Sequence, residues 1–366
     1  MTVTAGAANG AVEEALAIGA RLHRRYLVTL VAGVVVLLVA ATLGMALGSV
    51  RVPAGDVWSI VLAHVTGAAS SAASGVDTVI WQIRAPRVVM AALVGAGLAV
   101  IGVAVQAMVR NPLADPYVLG VESGAAAGAV AVIFFLGALG VSFLTPSVGA
   151  FIGATITLVV VFSLARIGGR VSSLRLLLVG VALSYGLSGF TSFVLYSSRD
   201  PMAQSQVVFW ILGGLGGTTW GEVPAVVAAL AVAAAIFWSA SRRLNALAMG
   251  DDSATSLGID PDRLRVRLFV VCSLAIAVIV SVVGPIGFVG LVIPHVARIL
   301  VGADHRRLVP VSLLLGAIYL VAADTVARTL FAPAEIPVGV VTAVLGTPFF
   351  LLLIRRRGAG GLREGG

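Results

Sequence analysis

Apolar stretches of about 20 residues recur along most of this chain, and that recurrence leaves few folds open. A helix rises ~1.5 Å per residue, so each stretch is long enough to cross the ~30 Å hydrocarbon core of a bilayer. Ten such spans can be drawn: 27–47, 87–108, 118–139, 146–165, 175–196, 222–240, 266–284, 286–302, 308–328 and 337–354. The expected fold is an all-α, multi-pass membrane protein. Composition agrees, with 59% hydrophobic and 11% charged residues, where a soluble chain carries about 25% charged.

The net charge of +8 does not point to nucleic acid, because the arginines sit in short clusters between apolar runs. That distribution writes membrane topology. With the N-terminus in the cytoplasm, 19 arginines fall inside and five outside, the five being Arg51, Arg84, Arg87, Arg199 and Arg328. Ten spans then place the C-terminus inside as well. Residues 1–26 and 358–366 are expected as cytoplasmic tails and 27–357 as one membrane domain. All 24 basic residues are Arg, so a phosphate-binding loop that needs Lys is excluded. The single Cys272 supports no disulfide or metal framework. The apolar run after Arg21, Arg24 and Arg25 is too long for the core of a signal peptide.

One segment breaks the pattern. "GDDSATSLGIDPDR", residues 250–263, carries four aspartates and falls on the cytoplasmic side between spans six and seven. Asp251 or Asp252 can cap a short helix and Gly258 can end it in the left-handed conformation. Asp260 can cap the next helix, with Pro261 at its first position. The expected product is a sharply bent helical hairpin. Its bland reading is a solvated loop; its functional reading is a rigid projection that seats in a partner.

"ALAMGDDSATSLGID" resembles the coupling loop of binding-protein-dependent ABC importer permeases. "RAPRVVMAALVGAGLAVIGVAVQAMVRNPLADPYVLGVESGA" (84–125), "FWILGGLGGTTW" (209–220), "GPIGFVGLVIPHVARILVGADHRRLVP" (284–310) and "EIPVGVVTAVLGTPFFLLLIRR" (335–356) resemble, in the same order, the FecCD-type permeases for iron–siderophore complexes, haem and cobalamin. The resemblance spans about residues 28–357. It implies a type II ABC importer permease fold in the cytoplasmic membrane, working with a second permease (identical or paralogous), two ABC ATPase subunits and an extracytoplasmic binding protein. ATP and Mg²⁺ would be used by the partner ATPases, with no cofactor or metal on this chain and no catalysis by it.

Residue by residue, the resemblance places Met249, Gly250, Asp251, Asp252, Ser253, Ala254, Leu257 and Gly258 at the ATPase. Arg84, Arg87 and Arg328 match arginines that pair with glutamates of the binding protein, although interfacial snorkelling would also account for them. "NPLADP" (111–116) must turn the backbone between spans two and three. The resemblance puts Asn111 and Leu113 at the cytoplasmic gate, with Ser173 and Leu174 beside them; a simple turn is the other reading. Ser184, Ser188, Thr191 and Ser192 recur at helical spacing and either line a polar path or bond their own backbone.

Gly120, Gly124 and Gly128 form a small-residue stripe suited to close helix packing in lipid. His295 is expected as a packed interfacial residue. Glu122 and Asp324 stand near span ends, and such scarcity of intramembrane carboxylates argues against an ion-coupled carrier. No polar cluster in mid-span supports an intramembrane enzyme. The expectation is a transport subunit for a metal chelate, a ferric siderophore first, with haem and cobalamin behind it.

Overall fold

A computed structural model describes residues 3–361 apart from 49, 69–72, 137–144, 168–169 and 172. In chain order the helices are α1 (Val3–Ala46), α2 (Ala54–Thr66), α3 (Ser74–Thr78), α4 (Ala85–Val109), α5 (Val121–Ala131), α6 (Pro146–Ala165), α7 (Ser173–Ser197) and α8 (Pro201–Ile211). They continue as α9 (Val223–Ser239), α10 (Ser241–Met249), α11 (Asp251–Ser256), α12 (Pro261–Val283), α13 (Val289–Val301), α14 (His305–Thr329) and α15 (Val338–Gly361). Two-residue strands at Arg166–Ile167 and Arg170–Val171 pair antiparallel between α6 and α7.

Over its described residues each of the ten predicted stretches falls on apolar helix, with 137–139 of the third lying outside them. Among the described residues, six helices are long and apolar enough to cross a membrane, and a seventh is α9 with α10 if that pair, bent by 62°, is one span. The remaining three, Val121–Phe135, Val289–Val301 and Val338–Leu352, are apolar but shorter. Several bounds differ from expectation. α1 begins at Val3, so residues 3–26 continue the helix of the first span. The second span starts at Ser74, because α3 runs through a π-helical stretch, Val79–Arg84, into α4. α2 and α8 lie between spans and are too short to cross.

α4 forms the centre of the bundle, with every residue from Val94 to Met108 buried. α14, α13, α12 and α9 pack around it, and α5, α6 and α7 form a neighbouring group. Where lipid surrounds a bundle, apolar side chains lose little by facing outward, so close packing decides which helices associate. Glycine permits that closeness here. A Cβ on Gly95 would collide with the Gly316 carbonyl of α14, and one on Gly102 with Gly290 of α13.

The predicted glycine stripe packs as expected at two of its positions, where Gly124 and Gly128 lie against Gly153 and Gly149 of α6. Gly120 precedes α5 in the left-handed conformation (φ 78°) and abuts Gly180 of α7 instead. Cys272 is buried and free, and the His295 ring packs edge-on against Phe349 at 6.2 Å between centroids.

Gly95→Val is expected to destabilise the bundle by about 1–3 kcal/mol through overpacking. Gly186→Ala, on open surface with nothing within 4 Å of the added carbon, should have little effect. Thermal unfolding of the two variants in one detergent checks the contrast.

Candidate functional site

The polar hairpin is built from short-range signals. α9 ends at Ser239, and α10 leaves at 62° with Leu244, Ala246 and Leu247 buried beneath it. Gly250 (φ 119°) breaks the chain and α11 follows. Its end is a Schellman arrangement: Ile259 N–H donates to the Ala254 carbonyl (3.0 Å) and Gly258 N–H to that of Thr255 (2.9 Å). Gly258 is left-handed (φ 75°), as the sequence requires. Asp260 Oδ1 then accepts from the backbone N–H groups of Asp262 and Arg263, 3.1 Å each, and Pro261 opens α12.

One expectation fails. Asp251 and Asp252 lie in the first turn of α11, and neither caps it, because Gly250 occupies the cap position without a side-chain bond. The Asp251 carboxylate is engaged elsewhere. Arg265 of α12 grips it with both ends of its guanidinium, Nη1 to Oδ2 at 3.1 Å and Nη2 to Oδ1 at 2.5 Å. Arg265 is 5% exposed, and its Nε also donates to the Met108 carbonyl at the end of α4 (3.4 Å). Arg110 Nη1 stands 3.7 Å from the same carboxylate.

The hairpin is therefore fastened to α12 and to the end of α4. At its tip Met249 and Leu257 project, 73% and 66% exposed, with Asp252 and Gly258 also open and Ser253 half-buried. Ala254 is fully buried and holds the hairpin down rather than facing outward. Arg265 carried no role in the sequence reading. Its signal was periodicity, since it shares the buried face of Leu268, Phe269 and Cys272.

The turn after α4 lies beside this clamp. Arg110 itself is left-handed (φ 55°). Asn111 Oδ1 accepts from Leu113 N–H (2.9 Å), which stabilises the turn, and Asn111 is exposed while Leu113 is half-buried. Asp115 Oδ1 accepts from Tyr117 N–H (2.9 Å), starting a 3-10 turn at Pro116–Leu119. The Tyr117 hydroxyl donates to the Ile286 carbonyl (2.8 Å) and accepts from Ile286 N–H (2.7 Å), and Gln106 Nε2 donates to the Gly290 carbonyl (3.2 Å). The turn is thus tied to the α12–α13 connection.

Of the other gate and path candidates, Ser173 opens α7 but its side chain lies outside the described residues, and Leu174 is exposed. Ser184 is half-buried, Ser188 and Ser192 are exposed, and Thr191 is buried, so helical spacing does not bring the four to one uniform surface. Among the described residues, none of them makes the backbone bond to position i−4 that Thr155 and Thr157 make.

The three arginines expected at the binding-protein face, Arg84, Arg87 and Arg328, come together at the opposite end of α4, about 35 Å from Arg110 by helical rise. They are not free surface cations: Arg84, Arg87 and Arg328 are 4%, 6% and 7% exposed. Arg84 donates to the Met45, Ala46 and Val50 carbonyls, and Arg328 Nη2 to that of Gly44 (2.6 Å). Both satisfy acceptors at or beside the C-terminal end of α1, where cations are favoured. Arg87 clasps Asp324 of α14 through Nε and Nη2, both 3.0 Å from Oδ1, and Arg328 Nε lies 3.1 Å from the other oxygen. Asp324, 1% exposed, is the ionic core of this end rather than a path residue. Arg87 Nη1 also donates to Glu335 (2.8 Å), whose side chain is half-exposed at the rim of a cleft of about 170 Å³.

The Arg265 hydrogen bond, ahead of desolvation, holds the Asp251 carboxyl below its ordinary range. A carboxyl whose folded pKa is depressed stabilises above its unfolded value of ~3.9 and ceases to as pH falls through the folded one. Hydrogen exchange across 249–263, corrected for intrinsic rate, should therefore be flat from pH 8 to 5 and accelerate only in stronger acid. Arg265→Gln should remove that step and speed exchange roughly 5–30-fold at neutral pH, about 1–2 kcal/mol for a half-exposed charged pair.

Comparison with known proteins fits this geometry. The model of the FecCD transport family matches residues 34–356. The chain is 43% identical over 281 residues to the cobalamin import system permease protein BtuC of Halobacterium salinarum, covering 77% of this chain and 74% of that one. It is 41% identical over 281 residues to the hemin transport system permease protein HmuU of Yersinia pestis, covering 76% and 82%. A solved structure described as an inward-facing metal-chelate-type ABC transporter superposes with a TM-score of 0.76 at 33% identity, over 89% of this chain and 98% of that one. With its apolar helices and these relatives, the protein is a multi-pass cell-membrane permease subunit of an ABC importer, and the chain belongs to the FecCD transport family.

Proposed function

We propose that this chain forms half of the translocation path for a metal chelate, a ferric siderophore first. A second permease, identical or paralogous, would supply the other half, two ATPase subunits would seat on residues 249–263, and an extracytoplasmic binding protein would deliver the substrate. Residues 27–357 would be the permease domain, with 1–26 and 358–366 on the cytoplasmic side. The observation that carries this reading is the clamp of Asp251 by Arg265, with Arg110 beside it. A push on Met249 and Leu257 reaches the end of α4, and so the turn at Asn111 and Leu113, through those groups.

The substrate class is supported by relatives named for cobalamin and hemin and by a neighbour described as metal-chelate-type. Haem or cobalamin is the alternative cargo. The exposed face of α7 mixes Ser188, Ser192, Gly186 and Gly189 with Tyr185 and Phe193. That mixture suits a path wall better than a lipid surface, with Ser184 and Thr191 behind it and Ser173 and Leu174 at its cytoplasmic end.

For docking, Arg87 is the arginine with an exchangeable partner. Its hold on Asp324 is buried, but Glu335 can yield to a carboxylate of the binding protein. Arg84 and Arg328 then contribute by fixing the frame and the positive potential around the cleft.

In proteoliposomes containing the ATPases, Gly258→Pro cannot adopt φ 75° and should abolish uptake and substrate-stimulated ATP hydrolysis; Asp251→Arg should do the same. Survival of both activities in both variants would remove the coupling assignment. Glu335→Gln should tighten binding-protein docking severalfold in a surface-binding measurement, since the internal competitor is gone. An unchanged affinity would reject the exchange at Arg87.

A further inference from the structure

The hairpin end of the bundle carries a second feature that coupling does not use. α1 is flanked by a cleft on each side, and both clefts are basic. The larger, about 670 Å³, is walled by His23 and Tyr26 of α1, Trp238 of α9, Arg242 of α10, and Arg306 and Arg307 in the first turn of α14. On the other side Arg21, Arg24 and Arg25 stand over Val28 of α1 and Ile299 and Leu300 of α13, around a space of about 500 Å³. Spacings of three and four residues put those three arginines and Val28 on one helix face.

Charge in the larger cleft is unbalanced. Among the described residues, Arg242, Arg306 and Arg307 form no ion pair with a carboxylate. Asp304 is the acid beside them, and its Oδ1 accepts from Asn245 Nδ2 (2.8 Å) and Arg306 N–H (3.1 Å) as the cap of α14. It offsets one of three cations. Arg306 and Arg307 moreover occupy a helix start, where the backbone disfavours cations and favours an anion. Topology alone would need only the number of arginines on this side, not their convergence on clefts with aromatic walls.

The level and surroundings of the clefts identify the anion. Tyr26 and Trp238 sit where α1 and α9 pass from apolar to basic sequence, the position such rings take at a membrane–water boundary. Only 11% of the membrane-length part of α1 is buried, and Val28, Val31 and Ile299 are exposed beside the arginines. A soluble phosphate would have no use for those apolar neighbours, whereas the acyl chains of a phospholipid would lie against them. Basic pockets between helices on the cytoplasmic side are sites of this kind. We propose that the clefts flanking α1 bind the phosphate headgroups of anionic phospholipids from the cytoplasmic leaflet, the larger through Arg242, Arg306 and Arg307.

The test uses the full complex, delipidated in neutral detergent, and native mass spectrometry of added lipid. Phosphatidylglycerol and cardiolipin should be retained at least tenfold over phosphatidylcholine. Arg242→Gln with Arg306→Gln and Arg307→Gln should weaken lipid binding at the larger cleft by at least tenfold, at roughly fivefold per arginine, and so remove one bound lipid while that held by Arg21, Arg24 and Arg25 remains. The exposed Arg306→Gln alone should give a partial loss without changing the melting temperature in phosphatidylcholine. Millimolar inorganic phosphate should not compete. Equal retention of anionic and zwitterionic lipid, or full retention by the triple variant, overturns the site. Displacement by inorganic phosphate overturns it in favour of a soluble-anion site, and loss of ATPase subunits from the triple variant overturns it in favour of a protein interface.

Discussion

Backbone-to-backbone approach along α4 is the contact on which the other features rest. Gly95 against Gly316 and Gly102 against Gly290 bring α14 and α13 close enough to enclose a helix with no exposed residue for fifteen positions. In lipid, apolar side chains have little reason to prefer a neighbouring helix to an acyl chain. Close fit supplies the preference, and it leaves α4 as a stiff rod with one polar cluster at each end. Gln106 and Tyr117, next to its far end, tie the following turn into the α12–α13 connection by backbone acceptors that would otherwise lack partners.

The polar groups obey the same constraint. Among the described residues, the four arginines buried as whole residues are each met by a carboxylate or by main-chain carbonyls at or beside a helix end. Arg84 and Arg328 use the carbonyls at the end of α1, Arg87 uses Asp324, and Arg265 uses Asp251 and the Met108 carbonyl. Arginine suits all four positions because its planar fork reaches two acceptors at once. The arginine cluster closes this end of the bundle and leaves one half-exposed carboxylate, Glu335, at its rim.

Local chemistry was legible in the sequence and long-range partnership was not. Gly258, Asp260 and Pro261 act as their types and spacing dictate, because turns and caps are made within a few residues. Asp251 was misassigned as a cap because its partner lies 14 residues on, across a bend. The positive-inside count grouped Arg84, Arg87 and Arg328 away from the hairpin, where they meet at one end of the bundle, but hydropathy cannot tell a snorkelling arginine from one buried on Asp324, 237 residues away. α2 and α8 escaped because a search for spans ignores helices of 13 and 11 residues. Their own signals were present: Gly67 closes α2 at φ 74°, and Asp200–Pro201 opens α8 with the same cap that was recognised at Asp260–Pro261.

The two ends of α4 differ in how readily they yield, and that difference gives the bundle a direction. Removing one partner from a buried pair leaves an uncompensated charge and costs about 3–5 kcal/mol, so the cluster of Arg87, Asp324 and Arg328 resists being opened. At the other end Asp251 remains 44% exposed, water can replace part of what Arg265 supplies, and the link is worth about 1–2 kcal/mol. That is the scale of ordinary coupling between sites, ~1–3 kcal/mol. Under the proposed coupling, a force on Met249 and Leu257 would rearrange the hairpin end within that energy and leave the arginine end in place. Motion would then originate at the hairpin, pass through Arg265 and Arg110 to the Asn111–Pro116 turn, and be resisted at the arginine end.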